Sequence, residues 1–344
     1  MKTPSTTDAQ LLVALQKGLP LVARPFAQIG QDLGLSEEAV LAKVHDLFET
    51  GVARRFGAVF DSNSLGYTST LCAADVPTAE LETAVARIVA HTGITHCYER
   101  EGTPNLWFTM TAPAAELLQE IDRVSKALGP YPVLNLPALQ KFKIEAVFGQ
   151  GEEANRLDPV VARPLRGRAC PRDGTRGPPF EKHDAAASTT PLSEREHTVV
   201  RRLQANIEVS PDPFGRVAQE LGYDPAELLA LLQRWGACGV IRRIGLVLRH
   251  RNLGFSANSM CVWPVPADRI AAAGASMARS RHVTHCYERP SFPAFPYNLY
   301  AMIHAKSRDE AVGIFQQLGA DAGLPDGRML WSAREFKKAS PVFF

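Results

Sequence analysis

The stretch Ile94-Thr95-His96-Cys97-Tyr98-Glu99-Arg100 sets three reactive side-chain types at alternate positions, and the chain repeats it as Val283-Thr284-His285-Cys286-Tyr287-Glu288-Arg289. In an extended strand, successive side chains point to opposite faces. His96, Tyr98 and Arg100 then share one face, as do His285, Tyr287 and Arg289. The opposite face takes Thr95, Cys97 and Glu99, or Thr284, Cys286 and Glu288. An imidazole that titrates near neutrality, a phenol and a permanent cation in one row suit an anionic ligand that must also exchange protons. The competing reading of each is structural: a core histidine with satisfied nitrogens, a packed tyrosine, a solvated arginine. Cys97 and Cys286 read as core residues, since a free thiol packs like a small hydrophobe.

The elements that must position these rows are themselves duplicated. Gln31-Asp32-Leu33-Gly34 matches Gln219-Glu220-Leu221-Gly222, and Arg54-Arg55-Phe56-Gly57 matches Arg242-Arg243-Ile244-Gly245. Asn105-Leu106 matches Asn298-Leu299 after the insertion Pro290-Ser291-Phe292-Pro293, and Phe142-Lys143 matches Phe336-Lys337. Each copy opens with three short helical patterns. Pro25 suits a helix start, Ser36 an N-cap, and Gly34 and Gly51 the stops. A basic stretch, Arg54 to Gly66, reads as a hairpin, which completes a winged helix-turn-helix. Strand and helix patterns then follow in the order βαββαβ, a ferredoxin-like sandwich. The predicted fold is α+β: winged helix-turn-helix over 1–66, ferredoxin-like over 67–148, linker over 149–191, and the same two domains over 192–254 and 255–344. The linker prediction rests on Gly174-Thr175-Arg176-Gly177-Pro178-Pro179, which can hold neither helix nor strand.

A net charge of +2 is not that of a strongly basic nucleic-acid binder. The candidate recognition helix over 36–50 sets Glu37, Glu38, Asp46 and Glu49 against Lys43 alone, and an acidic helix is repelled by a duplex. No apolar run reaches the roughly 18 residues of a membrane span, and Met1 to Ser5 lack a signal-peptide core, so a cytoplasmic location is expected. None of the six cysteines is spaced C-x-x-C, and no dinucleotide or phosphate-loop fingerprint is present. The basic residues gather in the hairpins instead. The second copy adds Arg249-His250-Arg251 where the first has Asp61-Ser62-Asn63. Guanidinium forks are natural partners of carboxylates. A solvated turn is the competing reading.

A winged helix-turn-helix followed by βαββαβ resembles the Lrp/AsnC family. The Arg-Arg-Phe-Gly-Ala-Val and Thr-His-Cys-Tyr-Glu-Arg motifs, with Asn105-Leu106-Trp107-Phe108-Thr109 and Pro296-Tyr297-Asn298-Leu299, are similar to its siroheme decarboxylase offshoot, in the form with two related subunits fused in one chain. The resemblance covers all but the linker, with Cys97 standing where many relatives have Asn. It implies loss of two acetate carboxyls, on rings C and D of siroheme, to give 12,18-didecarboxysiroheme on the way to heme d1 or heme. On that reading His96, His285 and then His250 are candidate general acids, with His304 as an outside candidate acid or iron ligand. Arg55, Arg100, Arg243, Arg249, Arg251, Arg289, Tyr98 and Tyr287 are candidate carboxylate binders. No cofactor is expected, because the tetrapyrrole ring can accept the electrons itself and iron enters with the substrate. The expected partner is an iron tetrapyrrole, not nucleic acid or membrane. The two halves are expected to form one pseudo-dimer, and whether such units pair again stays open. Competing functions are a ligand-responsive DNA-binding regulator and a tetrapyrrole carrier without turnover.

Overall fold

The computed structural model describes residues 6–144, 192–248 and 257–344. The expected linker and the hairpin tip with Arg249, His250 and Arg251 lie outside the described residues.

Each half opens with three helices: α1 (Thr6–Lys17), α2 (Pro25–Leu33) and α3 (Glu37–Glu49), then in the second half α6 (Glu194–Gln204), α7 (Pro213–Leu221) and α8 (Pro225–Cys238). The expected signals act as read. The Ser36 hydroxyl accepts from Ala39 N at 3.2 Å, and Gly34 closes α2 at φ 69°. The hairpin reading of 54–66 is corrected. Strand β1 (Ala53–Phe60) pairs antiparallel with β7 (Ile241–Leu248) of the other half, Gly57 facing Gly245. Phe56, Ala58 and Phe60 of β1 are buried with Ile244 and Leu246 of β7 in one core that joins the helices of both halves. So enclosed, each strand satisfies its backbone groups by pairing with its own copy. A Cβ on Gly57 would lie 2.5 Å from Ala205 O, just past α6, and one on Gly245 would lie 2.5 Å from Leu15 O in α1. The repeated glycines admit these helix ends.

The remainder of the first half runs β2 (Tyr67–Ala74), α4 (Leu81–Ile88), β3 (Ile94–Arg100), β4 (Leu106–Pro113), α5 (Leu117–Leu128), β5 (Leu134–Leu136) and β6 (Gln140–Ile144). The second runs β8 (Ala257–Trp263), α9 (Ile270–Ala278), β9 (Val283–Glu288), β10 (Leu299–Ala305), α10 (Arg308–Ala322) and β11 (Arg328–Lys338). The strand order is β5-β2-β4-β3-β11-β8-β10-β9-β6. Each half therefore keeps a ferredoxin-like sheet and donates its last strand to the other half. β11 pairs first with β8 of its own half and then with β3, while β6 pairs with β9.

The repeated Phe-Lys pairs anchor this exchange. Lys143 Nζ donates to Ser280 O beyond α9 at 2.9 Å, and Lys337 Nζ donates to Val89 O and His91 O beyond α4 at 2.8 Å. Cations at helix C-termini are favourably placed. Phe142 lies over Gly274 of α9, where a Cβ would meet its ring. One face of each sheet is covered by its own two helices, and Cys97 and Cys286 are buried there as expected. The helix-free faces meet through Ala73, Trp107 and Leu136 against Met260, Phe295 and Tyr300.

Candidate active site

Between the helix-free faces lies a cavity of about 490 Å³ lined from both halves, within the usual range for small-molecule and cofactor sites. Both repeated rows line it: His96, Tyr98 and Arg100 from β3, and His285, Tyr287 and Arg289 from β9 and just beyond. One site is thus built from two copies. The imidazole and phenol centroids are 6.2 Å apart in the first row and 6.1 Å in the second. The guanidinium carbon follows at 5.5 Å over Tyr98 and 4.9 Å over Tyr287.

Strict alternation is corrected at the threonines. Pairing steps from Ile94↔Met110 to His96↔Thr109 in one half, and from Val283↔Ile303 to His285↔Met302 in the other. Such an irregularity re-aims a side chain. Thr95 Oγ1 sits 3.1 Å from His96 Nδ1, and Thr284 Oγ1 sits 3.0 Å from His285 Nδ1. Each imidazole is held through Nδ1, which leaves Nε2 for other partners. Left to the protein's own groups, both imidazoles are neutral at pH 7. Burial, then Lys338, Arg54 and His285, lowers His96 to about 4, and burial with Arg289 lowers His285 to about 4.

The arginines are the costly members. Arg100 is buried, and its Nη1 donates to Leu330 O at 3.0 Å and Ser332 Oγ at 3.1 Å. Arg289 Nη1 donates to Leu136 O. In both, Nε is buried without an acceptor, and among the described residues neither has a carboxylate partner. Burial draws Arg100 down to about 10 and lowers Arg289 as well. Lys141 and Lys338 add two more cations, and no Asp or Glu appears among the described residues lining the cavity. A buried, unmatched cation is strongly unfavourable unless an anion arrives to pair with it. Trp107, Met260 and Tyr300 supply apolar wall, and Phe295, just past the insertion, packs against Trp107 with ring centroids 5.5 Å apart.

Arg55 and Arg243 are corrected out of the site. Their Nη1 atoms donate to Gln204 O at the end of α6 and Gln16 O of α1, across the halves. Arg55 also donates to Ala58 O at 3.2 Å. The repeated Arg-Arg motif reaches the site through its other member. Arg54 lowers His96 and donates to Lys338 O at 3.5 Å, while Arg242 pairs with Asp61 at 2.5 Å and acts on Tyr287. Alternation along β1 and β7 is the signal that separates the two arginines. Lys141 and Lys338 are not legible from alternation, because ladder irregularities between Lys141 and Lys143 and between Glu335 and Lys337 decide which lysine faces the cavity. Tyr300 and Trp107 were legible only as core. Lys43, the sole cation of the first candidate recognition helix, is held by Asp8 at 3.1 Å.

Comparison with known proteins bears on this geometry. Two family profiles match the chain twice each: the AsnC-like ligand binding domain over residues 64–143 and 252–337, and the siroheme decarboxylase NirDL-like HTH domain over 8–54 and 196–242. The siroheme decarboxylase NirDL subunit of Paracoccus pantotrophus is 34% identical over 99% of this chain and 98% of its own. The siroheme decarboxylase alpha subunit of Desulfovibrio desulfuricans, a half-length relative, is 47% identical over 41% of this chain and 82% of its own. The crystal structure of the siroheme decarboxylase NirDL in complex with an iron-uroporphyrin III analogue superposes with a TM-score of 0.71 at 29% identity, covering 98% of this chain and 94% of that one.

Proposed function

Since the chain belongs to the siroheme decarboxylase family, with an AsnC-like ligand-binding domain in each half, we propose that the shared cavity binds siroheme and removes its ring C and ring D acetate carboxyls as CO2, giving 12,18-didecarboxysiroheme. The observation that carries this reading is the charge of the cavity: four cations and three imidazoles, with no acid among the described lining residues. A flat macrocycle bearing eight carboxylates answers that charge at its rim and the Trp107, Met260 and Tyr300 walls with its faces.

The chemistry divides among these residues. A guanidinium clasping the reacting carboxylate would hold its charge in place and oppose CO2 release. Arg100, Arg289, Lys141 and Lys338 therefore serve carboxylates that remain on the ring. As the C–C bond of the acetate breaks, its electron pair passes into the pyrrole system and CO2 leaves. The methylene carbon then takes a proton and becomes a methyl group. We assign its donation to His96 and His285, which line the cavity. The depressed pKa of His96 rises when substrate carboxylates enter, because nearby negative charge favours the imidazolium. That acid thus becomes loaded when substrate is bound. The ring is its own electron sink, and the iron is part of the substrate.

The test is anaerobic incubation of the purified protein with siroheme, followed by mass spectrometry of the tetrapyrrole. The expected result is a Soret shift on mixing and loss of two CO2 per siroheme. Siroheme recovered intact after a Soret shift would identify a carrier, and no shift at all would remove the tetrapyrrole reading.

A further inference from the structure

We propose that Thr284 and His304 form a proton-supply line behind His285 that the first half lacks, so that the two rows do not turn over alike. This rests on the decarboxylase reading above. His304, on β10, has Nε2 3.1 Å from Thr284 Oγ1, and that hydroxyl is 3.0 Å from His285 Nδ1. Three groups able to pass a proton therefore stand in hydrogen-bonded sequence, ending on an imidazole that lines the cavity. His304 is only partly buried and can reload from water. Asn258, opposite His304 in the β8–β10 ladder, keeps its Oδ1 buried without a donor, an acceptor beside the second imidazole.

The first half is built differently at the same places. Thr111 stands where the second half has His304, and its hydroxyl is 2.8 Å from Ser69 Oγ. Thr95 Oγ1 donates to Thr109 O at 3.5 Å, a carbonyl with no proton to give. Among the described residues no histidine stands behind Thr95: the groups that act on His96 are Lys338, Arg54 and His285 of the other row.

His285 acts as the neutral imidazole, its proton on Nε2 and its Nδ1 accepting from Thr284. CO2 loss leaves one electron pair on the substrate, and His285 gives its Nε2 proton to the methylene carbon. His285 Nδ1 takes the hydroxyl proton of Thr284, and Oγ1 is refilled from Nε2 of protonated His304. His304 ends neutral, one C–H bond has formed, and the substrate's negative charge is cancelled.

The experiment follows un-, mono- and didecarboxylated siroheme by mass during anaerobic turnover, with Soret titration as the measure of binding. His304→Ala and Thr284→Val should each slow one of the two CO2 losses tenfold or more, so that the monodecarboxylated species accumulates while affinity is unchanged. The double variant should be no slower than either single one. Thr284→Ser, and imidazole added to His304→Ala, should restore the rate. Wild-type rates for both steps in His304→Ala would overturn the proposal. So would equal slowing of both steps without imidazole rescue. A wild-type protein that leaves siroheme intact would instead sink the decarboxylase reading, and the supply line with it.

Discussion

Arg100 and Arg289 carry a cost that folding alone does not explain, since each buries a guanidinium with Nε unmatched. Replacing Arg100 with Met should therefore weaken siroheme binding by about 10²-fold, while changing stability by no more than about 1–2 kcal/mol. Soret titration and urea unfolding on the same variant check the two halves of that statement. Activity should depend on the imidazoles: His285→Ala or His96→Ala should lower turnover by about 10²–10⁴-fold with binding retained. The imidazoles also set a pH dependence of stability. Burial pushes both down to about 4, below the ordinary histidine value of about 6.5. The unfolded chain takes up protons below pH 6.5 that the folded chain refuses. Their contribution is thus complete above pH 6.5 and is lost as pH falls toward 4, up to roughly 3 kcal/mol for each histidine. Urea midpoints at pH 7.5 and 4.5 should diverge for the wild type and draw together when both histidines become Asn. The rows themselves were legible from period-two alternation. The threonines were not, because one irregular pairing step in each strand moves a hydroxyl to the imidazole.

Among the elements, the paired strands β1 and β7 separate a structural arginine from a site arginine. Gly57→Ala places a methyl against Ala205 O, and overpacking of this kind costs about 1–3 kcal/mol. Arg55→Ala removes the donor to Gln204 O and should cost about 1–2 kcal/mol. Neither variant should change turnover per folded molecule. Thermal unfolding read beside specific activity tests this, and a large fall in turnover for folded Arg55→Ala would return that residue to the site. The departure from a hairpin has a physical reason. A basic, glycine-containing stretch is compatible with a hairpin turn, but the buried faces of β1 and β7 make each the other's pairing partner.

For the whole molecule, the exchange of β6 and β11 means that neither half completes its sheet alone. Residues 1–148 and 192–344 produced as two chains should co-purify in equal amounts with siroheme binding intact, whereas either alone should aggregate or unfold. Size exclusion of the co-expressed pair decides it; a stable monomeric half would contradict the shared core. The existence of half-length relatives accords with such a division.

The order of elements, the duplication, the two reactive rows and the acidic character of the first candidate recognition helix are properties of the chain read linearly, because each follows from local periodicity or composition, or from matching one stretch of sequence to another. What tertiary structure alone decided is that the two rows face one cavity, that Arg55 and Arg243 serve helix ends, and that Lys141, Lys338 and Tyr300 line the cavity. These residues come from different strands and different halves. Their meeting depends on strand exchange and on an irregular ladder step, which involve partners far apart in sequence.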